Sequence, residues 1–198
     1  MLTIHRSHSS DKHGGCCYKY SSTQVNLPAD LSARVVRWGE RNVLDLDLFE
    51  EEEEPPSRHS REYESHITIL YGIHEADPQR VLSLFRGVKP FTIELGRVSL
   101  FKLSPKFDVI KIEVLSPRLQ ELNELVRQRV TTTQVYPDYR PHVTIAFAKK
   151  GLYDHLEGHT AFAGLTFDAK QIQFSNPYGE RSVIYLEPGP GDRRRWAM

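Results

Sequence analysis

One four-residue pattern occurs twice in this chain, as His66-Ile67-Thr68-Ile69 and as His142-Val143-Thr144-Ile145. Each copy alternates polar and aliphatic residues. A strand sends residues i and i+2 to one face and i+1 and i+3 to the other. Both copies therefore read as strands that hold an imidazole and a hydroxyl on one side and aliphatic anchors on the other. A lone strand histidine is usually structural, but two copies of one tetrad in matching surroundings exceed what short-motif coincidence supplies. The surroundings do match. In both halves a strand, a helix, the histidine-bearing strand, a short helix and further strands follow in order. The first half is longer between helix and histidine by roughly the size of one acidic loop. Two similar lobes facing each other are the expected arrangement.

Along the chain, residues 1–17 read as a flexible polar arm, 18–187 as a single bilobal domain, and 188–198 as a disordered tail. A strand over 18–27 leads into a helix opened by Pro28-Ala29-Asp30, with Leu31, Val35, Val36 and Trp38 at near-helical spacing. The run Glu50-Glu51-Glu52-Glu53-Glu54-Pro55-Pro56 marks a solvated insertion, the acidic loop 50–62. The strand 65–71 is expected to turn Ile67, Ile69 and Tyr71 inward, and its counterpart 142–149 to turn Val143, Ile145 and Phe147 inward. Asp77-Pro78 starts a helix reaching Phe85, since Asp can cap and Pro needs no amide in the first turn. Strands over 91–103 and 107–114 flank a turn at Ser104-Pro105-Lys106. Ser116-Pro117 then opens what reads as the longest helix, with Leu119, Leu122, Leu125 and Val126 on one face. A short helix at 152–157 and strands at 165–174 and 182–186 complete the pattern.

Composition narrows the function. Twenty-six basic and 26 acidic side chains cancel, which argues against a protein that coats nucleic acid by bulk charge. With 39% hydrophobic residues a core can form. No apolar run is long enough to span a membrane, and the N-terminal residues lack the apolar region of a secretory signal. The two cysteines, Cys16 and Cys17, are adjacent, so no disulfide framework is expected and a reducing cytoplasm is the natural setting. His5, His8, His13, Cys16 and Cys17 match no zinc spacing, and no metal or cofactor is expected.

Histidine is the side chain that gives or takes a proton near neutral pH. Two of them flanking one phosphorus can work on opposite oxygens, one accepting the proton of the attacking hydroxyl and the other protonating the leaving oxygen. A threonine hydroxyl two residues on can donate to a non-bridging oxygen. Which histidine takes which role is open at this point.

At these residues the chain resembles the 2H phosphoesterases, named for two His-x-Thr/Ser motifs. That family includes 2′-5′ RNA ligase-like proteins, cyclic phosphodiesterases and phage anti-CBASS nucleases. The resemblance runs over about 20–186 and is specific at the two tetrads and their flanks, including Leu70-Tyr71-Gly72. It implies an α+β bilobal fold, two antiparallel sheets with flanking helices around a central groove. It also implies His66 and His142 as acid and base, with Thr68 and Thr144 as phosphate clamps. The lead-in Tyr136-Pro137-Asp138-Tyr139-Arg140-Pro141-His142 looks like the approach to the second motif in the anti-CBASS enzymes, whereas Glu64-Ser65-His66 has no such lead-in. The substrate it implies is a cyclic nucleotide, a cyclic oligonucleotide or a 2′,3′-cyclic phosphate.

Further substrate contacts are expected from flat or cationic side chains near the motifs. Tyr20, Phe101 and Tyr139 are candidate base platforms, and Arg140 can reach phosphate. Lys102, Lys106 and Lys111 sit in the central hairpin, and Lys111 lies between Ile110 and Ile112, so it should leave the core face. One rival is an enzyme of RNA ends, which would call for a basic track beside the groove. The other is a non-catalytic module that binds a nucleotide or small RNA.

Overall fold

Polar–apolar alternation recurs along this chain, and it makes strands. The computed structural model describes residues 5–7, 19–50, 60–133 and 138–187. These contain nine strands: β1 (His5–Ser7), β2 (Ser21–Asn26), β3 (His66–Ile73), β4 (Phe91–Phe101), β5 (Phe107–Leu115), β6 (His142–Lys149), β7 (Thr166–Ala169), β8 (Gln171–Ser175) and β9 (Arg181–Tyr185). Three α-helices accompany them: α1 (Ala29–Asn42), α2 (Pro78–Leu82) and α3 (Pro117–Arg127). α1, not the helix after Ser116, is the longest. Residues 51–59 of the acidic loop, Tyr136-Pro137, the tail, and all of the arm but 5–7 lie outside the described residues. Within the arm, 5–7 pair with β9 as an edge strand.

The strands form one antiparallel sheet in the order β1-β9-β8-β2-β3-β6-β5-β4-β7. Its two halves meet between β3 and β6 at a single residue pair, Ile67 with Val143. The two sheets expected from the sequence are thus two halves of one sheet, joined at the second residue of each tetrad. A β2-α1-β3 unit on one side corresponds to β5-α3-β6 on the other. Val25, Ile67, Val143, Ile112 and Val98 are directly paired from strand to strand, and all are buried to within 1%. This apolar row fixes the face on which each histidine emerges.

The helices are crossed. Within α1, Gly39 lies against β6, where an added Cβ would sit 2.8 Å from the Cγ2 of Ile145. Within α3, Asn123 donates to the Ile69 carbonyl of β3 at 2.6 Å. Each repeat's helix therefore supports the other repeat's histidine strand.

A bulge at the end of each tetrad changes the alternation. In β3, Thr23 faces Leu70 and Gln24 faces Thr68, so Ile69 is an extra residue. In β6, Ile110 faces Ala146 and Lys111 faces Thr144, so Ile145 is extra. An inserted residue shifts every later side chain to the other face. Tyr71, expected inside, is therefore 50% exposed. Phe147, also expected inside, is only half-buried, stacking edge-on against Phe107, while Ala146 and Ala148 occupy the core. The strand expected over 165–174 is likewise two strands. Its first part, β7, pairs with β4 in one half, and its second part, β8, pairs with β2 in the other. At α2 the expected cap is present, with Asp77 Oδ1 accepting from the Gln79 amide at 2.9 Å.

Candidate active site

Carrying the Ile67–Val143 register one residue each way sets His66 opposite Thr144 and Thr68 opposite His142. All four side chains share one face and are half-buried. The two imidazoles lie on a diagonal of the antiparallel pair, where Cα separations are about 7–8 Å. That is the scale of one phosphate with a hydrogen bond on either side.

Both rings are oriented in the same way. His66 Nδ1 bonds to the Glu64 carbonyl at 2.8 Å, and His142 Nδ1 bonds to the Arg140 carbonyl at 2.7 Å. A carbonyl only accepts, so Nδ1 carries the proton in each ring. In the neutral state Nε2 is then the lone-pair nitrogen, and in the charged state it is the transferable N–H. Burial is the main cause holding His142 below the ordinary imidazole value. The Arg140 carbonyl acts in the opposite sense, and the charges of Lys111 and His66 add to the lowering.

The flanks of the two motifs differ. On the β2 side, Gln24 is opposite Thr68 and Asn26 opposite His66. These amides form a chain: Gln24 Nε2 donates to Asn26 Oδ1 at 2.8 Å, Asn26 Nδ2 to Gln173 Oε1 at 3.0 Å, and Gln173 Nε2 to Ser175 Oγ at 3.2 Å. On the β5 side, Lys111 is opposite Thr144 and Glu113 opposite His142, with Ser99 opposite Lys111 on β4. Lys111 is only 6% exposed and donates to Ser99 Oγ at 2.6 Å. Its Nζ lies 4.3 Å from the centre of the Phe101 ring, and that ring meets His142 edge-on at 4.9 Å.

The expected substrate contacts are distributed unevenly. Phe101 lies beside His142, and the Lys111 ammonium lies over its ring. Arg140 is exposed, and its carbonyl orients His142. Tyr139 packs its ring on the core and donates its hydroxyl to the Thr68 carbonyl at 2.9 Å, tying the second motif's lead-in to the first motif. Burial pushes that phenol far above its ordinary value, so it stays a donor. Tyr20 lies at the far end of β3, stacked on His74 at 5.0 Å and edge-on to Tyr71 at 6.2 Å. Lys102 is paired with Asp154 at 2.8 Å, and Lys106 is exposed at its turn.

Gln24, Asn26, Gln173, Ser99 and Glu113 are not singled out by sequence reasoning. Alternation within 21–26 and 111–113 assigns Gln24, Asn26 and Glu113 a face, but only the strand order brings these strands and those of Gln173 and Ser99 around the histidines. Among the described residues, no three His, Cys, Asp or Glu side chains gather as a metal site, and no helix is long and apolar enough to cross a membrane. The arm's histidine and cysteine side chains lie outside the described residues.

The same fold occurs in solved structures. The Thermus thermophilus protein TT0787 aligns with a TM-score of 0.58 at 15% identity, covering 86% of this chain and 99% of that one. Escherichia coli LigT in its apo form aligns at 0.56 and 15% identity, covering 85% and 94%. Its complex with 3′-AMP aligns at 0.52 and 16% identity, again covering 85% and 94%. The sheet and its paired tetrads are those expected of the 2H phosphoesterases. The chain belongs to the 2′-5′ RNA ligase superfamily, whose model matches residues 66–176. A curated Bacillus licheniformis protein named 3-dehydroquinate dehydratase is 24% identical over 143 residues. The match covers 70% of this chain and 50% of that protein, so the chain spans about half the length of the curated relative it matches.

Proposed function

We propose that this protein cleaves ribonucleotide phosphodiester bonds without a metal, with His142 as base and His66 as acid. The observation that carries this reading is the matched pair of Nδ1 bonds to the Glu64 and Arg140 carbonyls, which frees both Nε2 atoms for proton transfer on one sheet face. The attacking oxygen, a ribose 2′-OH or a water, bonds to phosphorus while its proton passes to His142 Nε2. The bond from phosphorus to the leaving oxygen breaks, and that oxygen takes the proton on His66 Nε2. Thr68 and Thr144 donate to the non-bridging oxygens, where charge develops. The base role falls to His142 because burial and the neighbouring Lys111 favour its neutral form.

Small nucleotides are the proposed substrate class: cyclic nucleotides, cyclic oligonucleotides or 2′,3′-cyclic phosphates. Three features support it. LigT structures hold 3′-AMP, ATP and NADP+. The edge of the site mixes charge, with Arg140 and Glu113 exposed and Arg181 paired to Glu64, so the described residues form no continuous basic track for a long RNA. Phe101 beside His142, and Tyr71 with Tyr20 farther along β3, offer flat surfaces for bases. The family's description favours a second reading, action at RNA ends.

The test is a panel of cyclic di- and trinucleotides, 2′,3′-cyclic mononucleotides and short RNAs, assayed in EDTA. Cleavage of a cyclic or 2′,3′-cyclic member is expected, with none by the double variant His66→Ala/His142→Ala. Cleavage restricted to RNA ends selects the second reading. Turnover that needs added metal, or that survives the double substitution, overturns the mechanism.

A further inference from the structure

We propose that Lys111 is a further binding residue of this site, whose ammonium holds a non-bridging phosphate oxygen beside Thr144. The inference rests on the phosphodiester reading above and deepens it.

A lysine is rarely buried unless it is paired, because the ammonium loses its hydration. Lys111 is buried, yet among the described residues it pairs with no carboxylate; its ammonium meets the Ser99 hydroxyl and the face of Phe101. An ammonium has three N–H donors, and the hydroxyl takes one. Its position also points to the site. Ile110 and Ile112 on either side are fully buried in the core, and Lys111 is the cross-strand neighbour of Thr144. Neighbouring lysines are already committed: Lys102 to Asp154, Lys150 to Asp108 and Lys149 to the Leu46 carbonyl. An anion seated between the two threonines would supply the counter-charge that the fold leaves out. The amide side of the sheet has no equivalent, because Gln24 holds the matching position opposite Thr68.

Charges on several elements bear on this ammonium. Burial is the main cause holding it below the ordinary lysine value, Glu113 and Glu157 oppose the lowering, and Arg140 adds to it. Glu157 is occupied, since its carboxylate accepts from the Leu100 amide at 2.9 Å. The phosphate is therefore expected to bind most tightly where Lys111 is charged and to weaken as the solution becomes alkaline.

Inorganic phosphate titrated into the wild-type protein tests this without reference to turnover. The Lys111 ammonium resonance is expected to shift and saturate together with those of the histidines. Lys111→Met is expected to weaken phosphate binding about 10-fold or more and to lower kcat/KM by about 100-fold, the scale of removing one oxyanion donor. Lys111→Arg should recover part of both. A histidine response to phosphate with no response at Lys111, or a folded Lys111→Met protein with wild-type phosphate affinity, would overturn the proposal. Should Lys111→Met fail to fold, the wild-type resonance decides alone. Loss of the phosphodiester reading shows separately, as turnover surviving in the double histidine variant.

Discussion

The two halves of the sheet carry the same tetrad, the same bulge at its fourth residue, and the same Nδ1 bond two residues back, yet their flanks are chemically unlike. His66 and Thr68 have neutral amides beside them, Asn26 and Gln24. His142 and Thr144 have Glu113 and Lys111. The aromatic five residues after each histidine differs too: Tyr71 is exposed, while Phe147 is covered by Phe107. A shared backbone plan thus orients two imidazoles alike, and the neighbours make them inequivalent. The second motif thus has charged neighbours of both signs where the first has neutral amides, and under the proposed mechanism this difference is what distinguishes the two halves of a near-symmetric site.

Replacing the histidines singly gives the largest expected effect. His66→Ala and His142→Ala should each lower kcat on a nucleotide substrate by about 10²–10⁴-fold, the usual contribution of a general acid or base. A p-nitrophenyl ester leaves without protonation, so on that substrate His66→Ala should recover most of its rate and His142→Ala should not. Equal recovery, or recovery by His142→Ala alone, breaks the assignment of roles to the halves.

The crossed helices come next in size. Asn123→Leu leaves the Ile69 carbonyl without its donor behind the first motif, and Gly39→Val presses on Ile145 behind the second. Each should cost about 1–3 kcal/mol in urea unfolding, from an unmade buried hydrogen bond or an overpacked contact. Because each helix braces the opposite half, a single cooperative transition is expected in both variants. Two separated transitions would show halves that unfold independently.

The smallest effect is in pH. Burial holds His142 below the ordinary imidazole value of about 6.5, so its ring stays neutral into mildly acidic solution, as the proposed base role requires. The acid limb of kcat/KM should therefore lie below about 6.5. The groups facing this ring are Lys111 and Glu113 from β5, His66 from β3 and Arg140 from the lead-in. Stability follows the same sign: below about 6.5 the unfolded chain binds a proton that the folded ring still refuses. This contribution is complete above that pH and is lost as pH falls through the depressed value. An acid limb at or above about 6.5 contradicts the environment described for His142.

Much of this is legible in the residues. The tetrads, their shared face, the anchoring role of Ile67 and Val143, and the cap at Asp77 all depend on neighbours within a few positions. Alternation misplaces Tyr71 and Phe147 because a bulge leaves no local mark: Ile69 and Ile145 suit a regular strand as well as a bulged one. The run 165–174 reads as one strand because its composition is continuous. Its two ends find partners at opposite sides of the sheet, β4 and β2, which no local pattern records. Tyr139 reads as a base platform because its chemistry allows stacking; in the fold its hydroxyl finds the Thr68 carbonyl instead.

By itself, then, the sequence determined two strands with imidazole and hydroxyl on one side and aliphatics on the other, since side-chain direction follows backbone period. Tertiary structure decided that these strands are neighbours, that Ile67 pairs with Val143, and that Lys111 and Gln24 flank opposite threonines. Pairing between strands far apart in the chain depends on which complete arrangement buries the most apolar surface while satisfying every backbone group, and that choice belongs to the whole molecule.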